Sequence, residues 1–300
     1  MSSPQATPTQ GASASIHDIG YRHYDGERKG TDYARRSLYT HSLRGAFGLG
    51  RAGKSKVLPM LLLGIICVPA AIVVAVAIFT KADSLPLEYG AYPTNLEPVI
   101  TLFVAAQAPQ AVSRDLRFRT MPLYFSRPMS RRDYVLAKYA ALSSAVFLLT
   151  ALPQVILYAG ALLAKLGFVD QTEEFGRSLV LVALMSLLYS GLALLVAALT
   201  PRRGFGVAGV IALFLISSGV VAALQAIAWE QGDKGLISWL ALGSPSSLVE
   251  GVKSGLLGFE ASWLGPNPSA AMGMTYALVS LLLMAGCYGL LMLRYRKAGL

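Results

Sequence analysis

Six long apolar runs divide the chain, and they constrain its fold more than any other feature of the sequence. A helix rises about 1.5 Å per residue, so about 20 apolar residues cross a hydrocarbon core of about 30 Å. The second run is the least regular, since it can begin near Tyr92 and carry Asn95 and Glu97 at the outer interface. The sequence therefore predicts an all-α polytopic membrane protein with six transmembrane helices. The predicted spans are 57–79, 96–112, 139–163, 178–199, 205–228 and 272–293.

Positive charge alternates from one loop to the next along the chain. Of the 26 Lys and Arg residues, 21 fall in 1–56, 113–138, 200–204 and 294–300, whereas ten of the 16 acids fall in the other loops. Because cytoplasmic loops are enriched in Lys and Arg, we expect both termini to be cytoplasmic. The chain is then a multi-pass protein of the plasma (inner) membrane. This distribution accounts for the net charge of +10 without a nucleic-acid partner.

The chain divides into three segments by composition. Residues 1–16 are rich in Ser, Thr, Gln, Pro and Ala and are predicted to be disordered. Residues 17–56 are predicted to form a cytoplasmic segment with one amphipathic helix, of a kind that lies in the membrane interface, and residues 57–300 form the six-helix transmembrane domain. The apolar stripe of that amphipathic helix consists of Tyr39, Leu43, Ala46 and Phe47.

A glycine-rich stretch, 48-GLGRAGKS-55, matches the pattern of a phosphate-binding P-loop. A P-loop works because a strand delivers the glycine-rich turn to a helix N-terminus, where N–H groups surround phosphate. Here residues 33–47 have a helical pattern and a lipid-spanning run follows. We therefore interpret the stretch as a basic hinge and not as a nucleotide site.

The predicted spans contain no set of residues that could perform catalysis. No metal-ligand spacing occurs, and no charged residue is expected deep within a span, which argues against an enzyme and against an ion-coupled carrier. Polar side chains within the spans either bond across helices, which we favour, or line a substrate path. The candidates for a path lining are Gln107, Gln110, Gln154, Tyr158, Ser217 and Gln225.

The loop 113–138 between the second and third spans has its own local signals. A proline after Met121 favours a short helix over 121–126, which must end before Pro128. Ser130 and Asp133 have the spacing of a capping box, which predicts the start of the next helix. Apolar and aromatic side chains beside arginines are typical of a protein interface, although insertion among lipid headgroups is the alternative.

The run 115-DLRFRTMPLYFSRPMSRRDYVLAK-138 resembles the cytoplasmic loop of ABC transporter permeases of the type-2 exporter class. The resemblance covers most of the chain, because that family also has a cytosolic helix before the first span, six spans, and a larger outer segment before the sixth. Two features depart from it: Asp115 stands where many members carry Glu, and the basic segment 17–32 is shared by only a subset. The matching residues are Asp115, Thr120, Ser126, Arg127, Pro128, Ser130, Arg131 and Lys138.

The resemblance implies that helix 121–126 is a coupling helix that binds a separate ATPase subunit. The complex would contain two ATPase copies and a second permease subunit. This chain would not be an enzyme, and ATP and Mg would bind to the ATPase alone, with no cofactor held here. The alternative is a non-transport membrane scaffold or sensor that docks a soluble partner through loop 113–138. The implied contact residues are Thr120, Met121, Leu123, Tyr124, Phe125, Arg127, Pro128 and Arg131.

Overall fold

The protein is helical throughout the part that the structure, a computed structural model, describes. Of the described residues, 81% are helical and none is in a strand. The described residues are 20, 25–26, 29–82, 84–113, 115, 118, 129–200, 202–263 and 265–298. The helices are α1 Thr31–Ala46, α2 Lys54–Thr80, α3 Ala91–Asn95, α4 Glu97–Ala111, α5 Arg131–Leu163, α6 Phe168–Leu199, α7 Arg203–Glu230, α8 Lys234–Leu240, α9 Pro245–Gly255 and α10 Ala270–Ala298. The predicted disordered segment 1–16 and the predicted helix 121–126 lie outside the described residues.

Five of the helices, α2, α5, α6, α7 and α10, are long and apolar enough to cross a membrane. They contain the first, third, fourth, fifth and sixth predicted spans. The second predicted span corresponds to α4, which has 15 residues and is therefore about 22 Å long. Alone, α4 is too short to cross a hydrocarbon core of about 30 Å.

The chain breaks between α3 and α4 at Leu96, which lies outside helical geometry. Pro98 occupies the first turn of α4, where its missing N–H leaves no partner unsatisfied. The hydroxyl of Tyr92 donates to the carbonyl of Ile66 on α2 at 2.5 Å. This bond holds α3 against the middle of α2, the first of the spanning helices.

Two ends of the bundle can be distinguished by charge. We call the end at which α2, α5 and α7 begin the basic end, because Lys54, Arg131 and Arg203 open those helices there. We call the opposite end, at which those helices finish, the acidic end. The helices α4, α6 and α10 run the other way and finish at the basic end.

Helix α1 lies in the segment for which the sequence predicts an amphipathic helix before the first span. Its residues Tyr39, Leu43 and Phe47 pack against the main core, and Ala46 is buried. The hydroxyl of Tyr39 donates to Ser144 Oγ on α5 at 2.9 Å. The apolar stripe of α1 therefore covers the basic end of α5.

Helices α5 and α6 form the centre of the bundle, whereas α2, α7 and α10 present large apolar side chains outward. On α7, for example, Leu215 is 69% exposed and Ile216 is 63% exposed. Exposed apolar surface of this extent is covered by lipid or by another protein in any membrane protein. The outer helices thus carry the surfaces available to the bilayer and to further subunits.

Helices α9 and α10 cross with their backbones in contact. A Cβ atom on Gly255 would lie 2.7 Å from the Cα of Gly273, and a Cβ on Gly273 would lie 2.7 Å from the carbonyl carbon of Gly255. One turn earlier, a Cβ on Gly251 would lie 2.4 Å from the ring of Tyr276. Small residues at such spacing let two helices approach closely within a bilayer.

Replacing Gly255 with valine is therefore expected to lower the free energy of unfolding by about 1–3 kcal/mol, the usual cost of overpacking. The contact is with backbone, which cannot rotate away. Thermal unfolding in detergent measures the effect. Gly286→Val on the same helix pair is the matched control, because a Cβ there meets nothing within 4 Å. Equal losses for the two variants would contradict the close crossing.

Candidate coupling site and buried polar clusters

The predicted partner contact lies almost entirely outside the described residues. Of its members, Arg131 is described, as the first residue of α5. The others, which lie outside, are Thr120, Met121, Leu123, Tyr124, Phe125, Arg127 and Pro128. The structure instead describes how the two ends of loop 113–138 attach to the bundle.

A capping box fixes the end of the loop, as the sequence predicts. Ser130 Oγ accepts from the Asp133 N–H at 3.2 Å, and the Asp133 carboxylate accepts from the Ser130 N–H at 3.0 Å. Arg35 on α1 donates from Nε to the same carboxylate at 2.8 Å. The Asp133 carboxylate thus caps α5 and joins α5 to α1, and the second of these roles has no local signal in the sequence.

The start of the loop is tied to the same helix through Asp115. Its Oδ2 lies 3.1 Å from Lys138 Nζ and accepts from the Tyr134 hydroxyl at 2.6 Å. The Tyr134 ring packs edge-on against Tyr295 at 5.3 Å between centroids. Lys138 and Tyr134 are buried, so this tie lies inside the protein and is shielded from solvent. Both ends of the loop are therefore anchored on the first two turns of α5.

The glycine-rich stretch 48–55 has the local structure of a turn between two helices. Gly48 and Gly50 have φ of 71° and 78°, which glycine adopts without strain. Helix α1 precedes the turn and α2 follows it, so the strand that a P-loop requires is not present at this place. Arg51, within the turn, donates to Gln110 Oε1 at 2.7 Å. The turn between α1 and α2, which we interpret as a hinge, is thus hydrogen-bonded to α4 in the core.

The six candidates for a path lining lie in separate places. Gln107 and Gln110 line a cavity of about 370 Å³ at the basic end, together with Arg51 and Lys138. Gln107 is 3% exposed and has no hydrogen bond among the described residues. Two of the six candidates for a path lining therefore share one cavity, and polar side chains line it.

The other candidates bond within the protein. Gln154 is fully buried and donates to the carbonyl of Tyr89 at 2.9 Å, and Gln225 donates to the carbonyl of Ile237 at 3.1 Å. The hydroxyls of Tyr158 and Thr172 are 2.9 Å apart, and Ser217 donates to Leu213 of its own helix. The contacts of Tyr158 and Gln225 join two helices, whereas Gln154 bonds to the segment before α3 and Ser217 bonds within α7.

Tyr89 lies in the segment before α3, at the acidic end, where it forms hydrogen bonds with α5 and α6. Its hydroxyl donates to Gln171 Oε1 at 2.9 Å, and its carbonyl accepts from Gln154 and Ser178. Burial raises the pKa of the Tyr89 hydroxyl well above its usual value. It therefore remains a neutral donor, and it joins α5 and α6 at a point far from the loop.

A carboxylate at the start of α4 contacts two other helices. Glu97, the first residue of α4, was expected at the outer interface. Its Oε1 accepts from the Tyr189 hydroxyl at 2.8 Å and also from Ser246 at the start of α9. Tyr189 is ten residues from the end of α6 at Leu199, near the middle of the predicted span 178–199. The start of α4 therefore lies against the second half of α6, and the interfacial position of Glu97 stays a prediction.

Helix α9 fills the space that the short α4 leaves at the acidic end. Its residues Leu248, Val249 and Val252 are buried, which excludes a simple surface helix. A cavity of about 220 Å³ adjoins the contact between Ser246 and Glu97, and Gln225 and other polar residues also line it.

A buried ion pair stabilises the far end of α9. Lys253 Nζ lies 2.6 Å from Glu250 Oε1, and its side chain is 1% exposed. The Ser262 N–H donates to Glu250 at 2.5 Å, and Lys253 donates to Ser262 Oγ at 3.1 Å. The sequence did not predict this pair, although the spacing of three residues on a helix face is a signal for one.

Comparison with protein families places these features in context. The model of the ABC-2 family transporter protein matches residues 90–300, from the residue before α3 to the end of the chain. Because this match covers more than half of the chain, the protein belongs to the ABC-2 transporter family. No curated protein matches the chain. The chain is a membrane permease subunit of an ABC-type transporter, and the helices α1 and α2 precede the matched region.

Proposed function

We propose that this chain is the permease subunit of an ABC exporter in the plasma membrane, driven by a separate ATPase that binds loop 113–138. Family membership supports the permease role. The observation that carries the coupling role is the double attachment of the loop to α5, through Asp115 at its start and Asp133 at its end. A displaced loop would move α5 with it, because neither end can shift without breaking the contacts of Asp115 or those of Asp133.

The proposed topology has six spans and cytoplasmic termini. In it, α3 and α4 together form the second span, with Leu96 as the break between them. The excess of Lys and Arg at the basic end supports placing that end in the cytoplasm. Helix α1 would then lie at the cytoplasmic membrane interface, where its arginines meet lipid headgroups.

The proposed mechanism transmits motion from the ATPase to the bundle. Two ATPase subunits, which hold ATP and Mg, would close around nucleotide and carry the loops of two permease subunits with them. Coupling requires that the ATPases bind the two conformations of the membrane domain with different free energies. The exposed apolar faces of α2, α7 and α10 provide surface for a second permease subunit. A substrate path would form between the two permeases.

Co-purification from native membranes tests this function. We expect an ATP-hydrolysing subunit to co-purify with the tagged chain, and Tyr124→Ala and Arg127→Glu to reduce its recovery, because both would remove contact at the coupling helix. Arg202→Gln is the control, since it removes a charge at the same end but outside the loop. A soluble partner without ATPase activity would support the scaffold alternative instead. Full recovery by both loop variants would contradict the proposed docking.

A further inference from the structure

A groove of about 680 Å³ runs between α5 and α10 at the basic end. Three arginines surround its mouth: Arg131 and Arg132 from the first turn of α5, and Arg296 from the last turns of α10. No carboxylate in the described ranges lies within ion-pairing distance of Arg132 or Arg296, and the described lining of the groove contains no acidic side chain. The mouth is therefore strongly positive.

The acid nearest in sequence is already engaged elsewhere. Asp133 accepts from Ser130 and from Arg35 of α1, so its charge is directed toward α1. Ser130, at the rim of the groove, uses its hydroxyl to cap α5. The groove thus offers the guanidinium groups of Arg132 and Arg296 without a compensating carboxylate in its described lining, which is the condition for binding an anion.

Below the arginines, the groove is apolar. Its floor consists of Tyr288, Gly289, Met292 and Leu293 on α10. From Arg296 to Tyr288 the helix descends eight residues, or about 12 Å, along the axis of a helix that is long and apolar enough to cross a membrane. Leu293 is 54% exposed, and a Cβ on Gly289 would meet nothing within 4 Å. The floor is therefore open toward the surroundings of the bundle.

We propose that this groove binds an anionic phospholipid, with its phosphate-bearing headgroup at Arg131, Arg132 and Arg296 and an acyl chain along Gly289 and Met292. The groove lies at the end of two spanning helices. Its positive mouth matches the anionic headgroup of such a lipid, and its apolar floor matches the acyl chain. A free phosphate would use the mouth but not the floor. An acidic protein segment would use the arginines but would gain nothing from the depth of the groove. The lipid site stands on these contacts alone and is independent of transport.

A lipid in this groove would also affect loop 113–138, because the groove lies at the start of α5. Arg131 and Arg132 are the first two residues of α5 and immediately follow its capping residue, Ser130. A bound headgroup would hold the first turn of α5 against the end of α10. The anchorage of loop 113–138 would then depend on the lipid composition of the surrounding leaflet.

Native mass spectrometry of the purified full-length chain in detergent tests the proposal, with phosphatidylglycerol and phosphatidylcholine of identical acyl chains as probes. We expect phosphatidylglycerol to bind more tightly at one site. The double variant Arg132→Gln/Arg296→Gln should weaken that binding roughly 25-fold, at about fivefold per arginine near an anionic headgroup. Gly289→Leu should weaken it as well, because the new side chain enters the floor of the groove.

Two controls distinguish a lipid site from a diffuse surface effect and from a free-anion site. Arg202→Gln/Arg203→Gln removes the same charge from exposed positions at the same end and should leave binding unchanged; an equal loss would show a diffuse surface effect and overturn the site. Displacement of the lipid by inorganic phosphate, with Gly289→Leu silent, would identify a free-anion site and also overturn it. Normal lipid binding by the groove variants, with loss of a co-purified ATPase, would assign the arginines to the protein partner. Circular dichroism confirms that each variant is folded.

Discussion

Replacing Glu250 with glutamine is expected to lower the free energy of unfolding by roughly 3–5 kcal/mol, the loss typical of breaking a buried ion pair. The ammonium of Lys253 would remain in a site where its side chain is 1% exposed. Its remaining described partner, Ser262 Oγ, is a neutral acceptor. Lys253→Met should cost a similar amount, because the Glu250 carboxylate would keep the Ser262 N–H but lose its cation. Thermal unfolding in detergent measures both variants.

The double variant Glu250→Gln/Lys253→Met should lose much less than the sum of the single variants. With both charges removed, no desolvated ion is left without a counter-ion. Lys234→Met, at an exposed position at the start of α8, is the matched control and should change stability little. Additive losses, or single losses no larger than that of the control, would show that the two charges do not form a buried pair.

The long helices could be predicted from the sequence because hydropathy acts along the chain. A run of about 20 apolar residues specifies a spanning helix by itself, and α2, α5, α6, α7 and α10 all contain such a run. The start of α5 was also predictable, because a capping box needs only residues three apart. Hydropathy and capping signals, each read within one short segment, therefore predict the positions of most of the long helices.

Contacts between distant parts of the chain could not be predicted in the same way. Arg35 and Asp133 are 98 residues apart, and Tyr189 and Glu97 are 92 apart. Nothing in the local sequence of either partner indicates the other. Glu97 illustrates the consequence, because hydropathy does not indicate its contacts with Tyr189 on α6 and Ser246 on α9.

Segment 244–258 carries a local signal for close helix packing. Gly251 and Gly255 are four residues apart, a spacing that places both on one helix face and favours close helix packing in lipid. It would have predicted that α9 is buried against another helix. The coupling-site residues in 120–128, by contrast, remain a prediction, because the family match concerns the whole region 90–300 and identifies no contact within it.

Replacing Asp115 with asparagine is expected to reduce stability by about 3 kcal/mol and to uncouple the loop from the bundle. The value is at the low end for buried pairs, because the Asp115 side chain is 18% exposed while that of Lys138 is 9% exposed. Asparagine removes the charge that Lys138 pairs with and weakens the bond from the Tyr134 hydroxyl. The start of the loop would then move independently of α5. Unfolding in detergent measures the first effect, and the ATPase rate of the co-purified complex measures the second.

A second substitution separates stability from coupling at this site. Asp115→Asn/Lys138→Met should recover most of the lost stability, because no buried ammonium remains. The start of the loop would still be detached from α5, so the ATPase of the complex should stay uncoupled from the membrane domain, as in Asp115→Asn. Asp115→Glu keeps the charge and should retain both properties. Asp170→Asn, which neutralises an exposed acid at the opposite end of the bundle, controls for net charge. If the double variant regains coupling together with stability, the contact between Asp115 and Lys138 serves folding alone, and force reaches α5 through the capped end of the loop at Ser130 and Asp133.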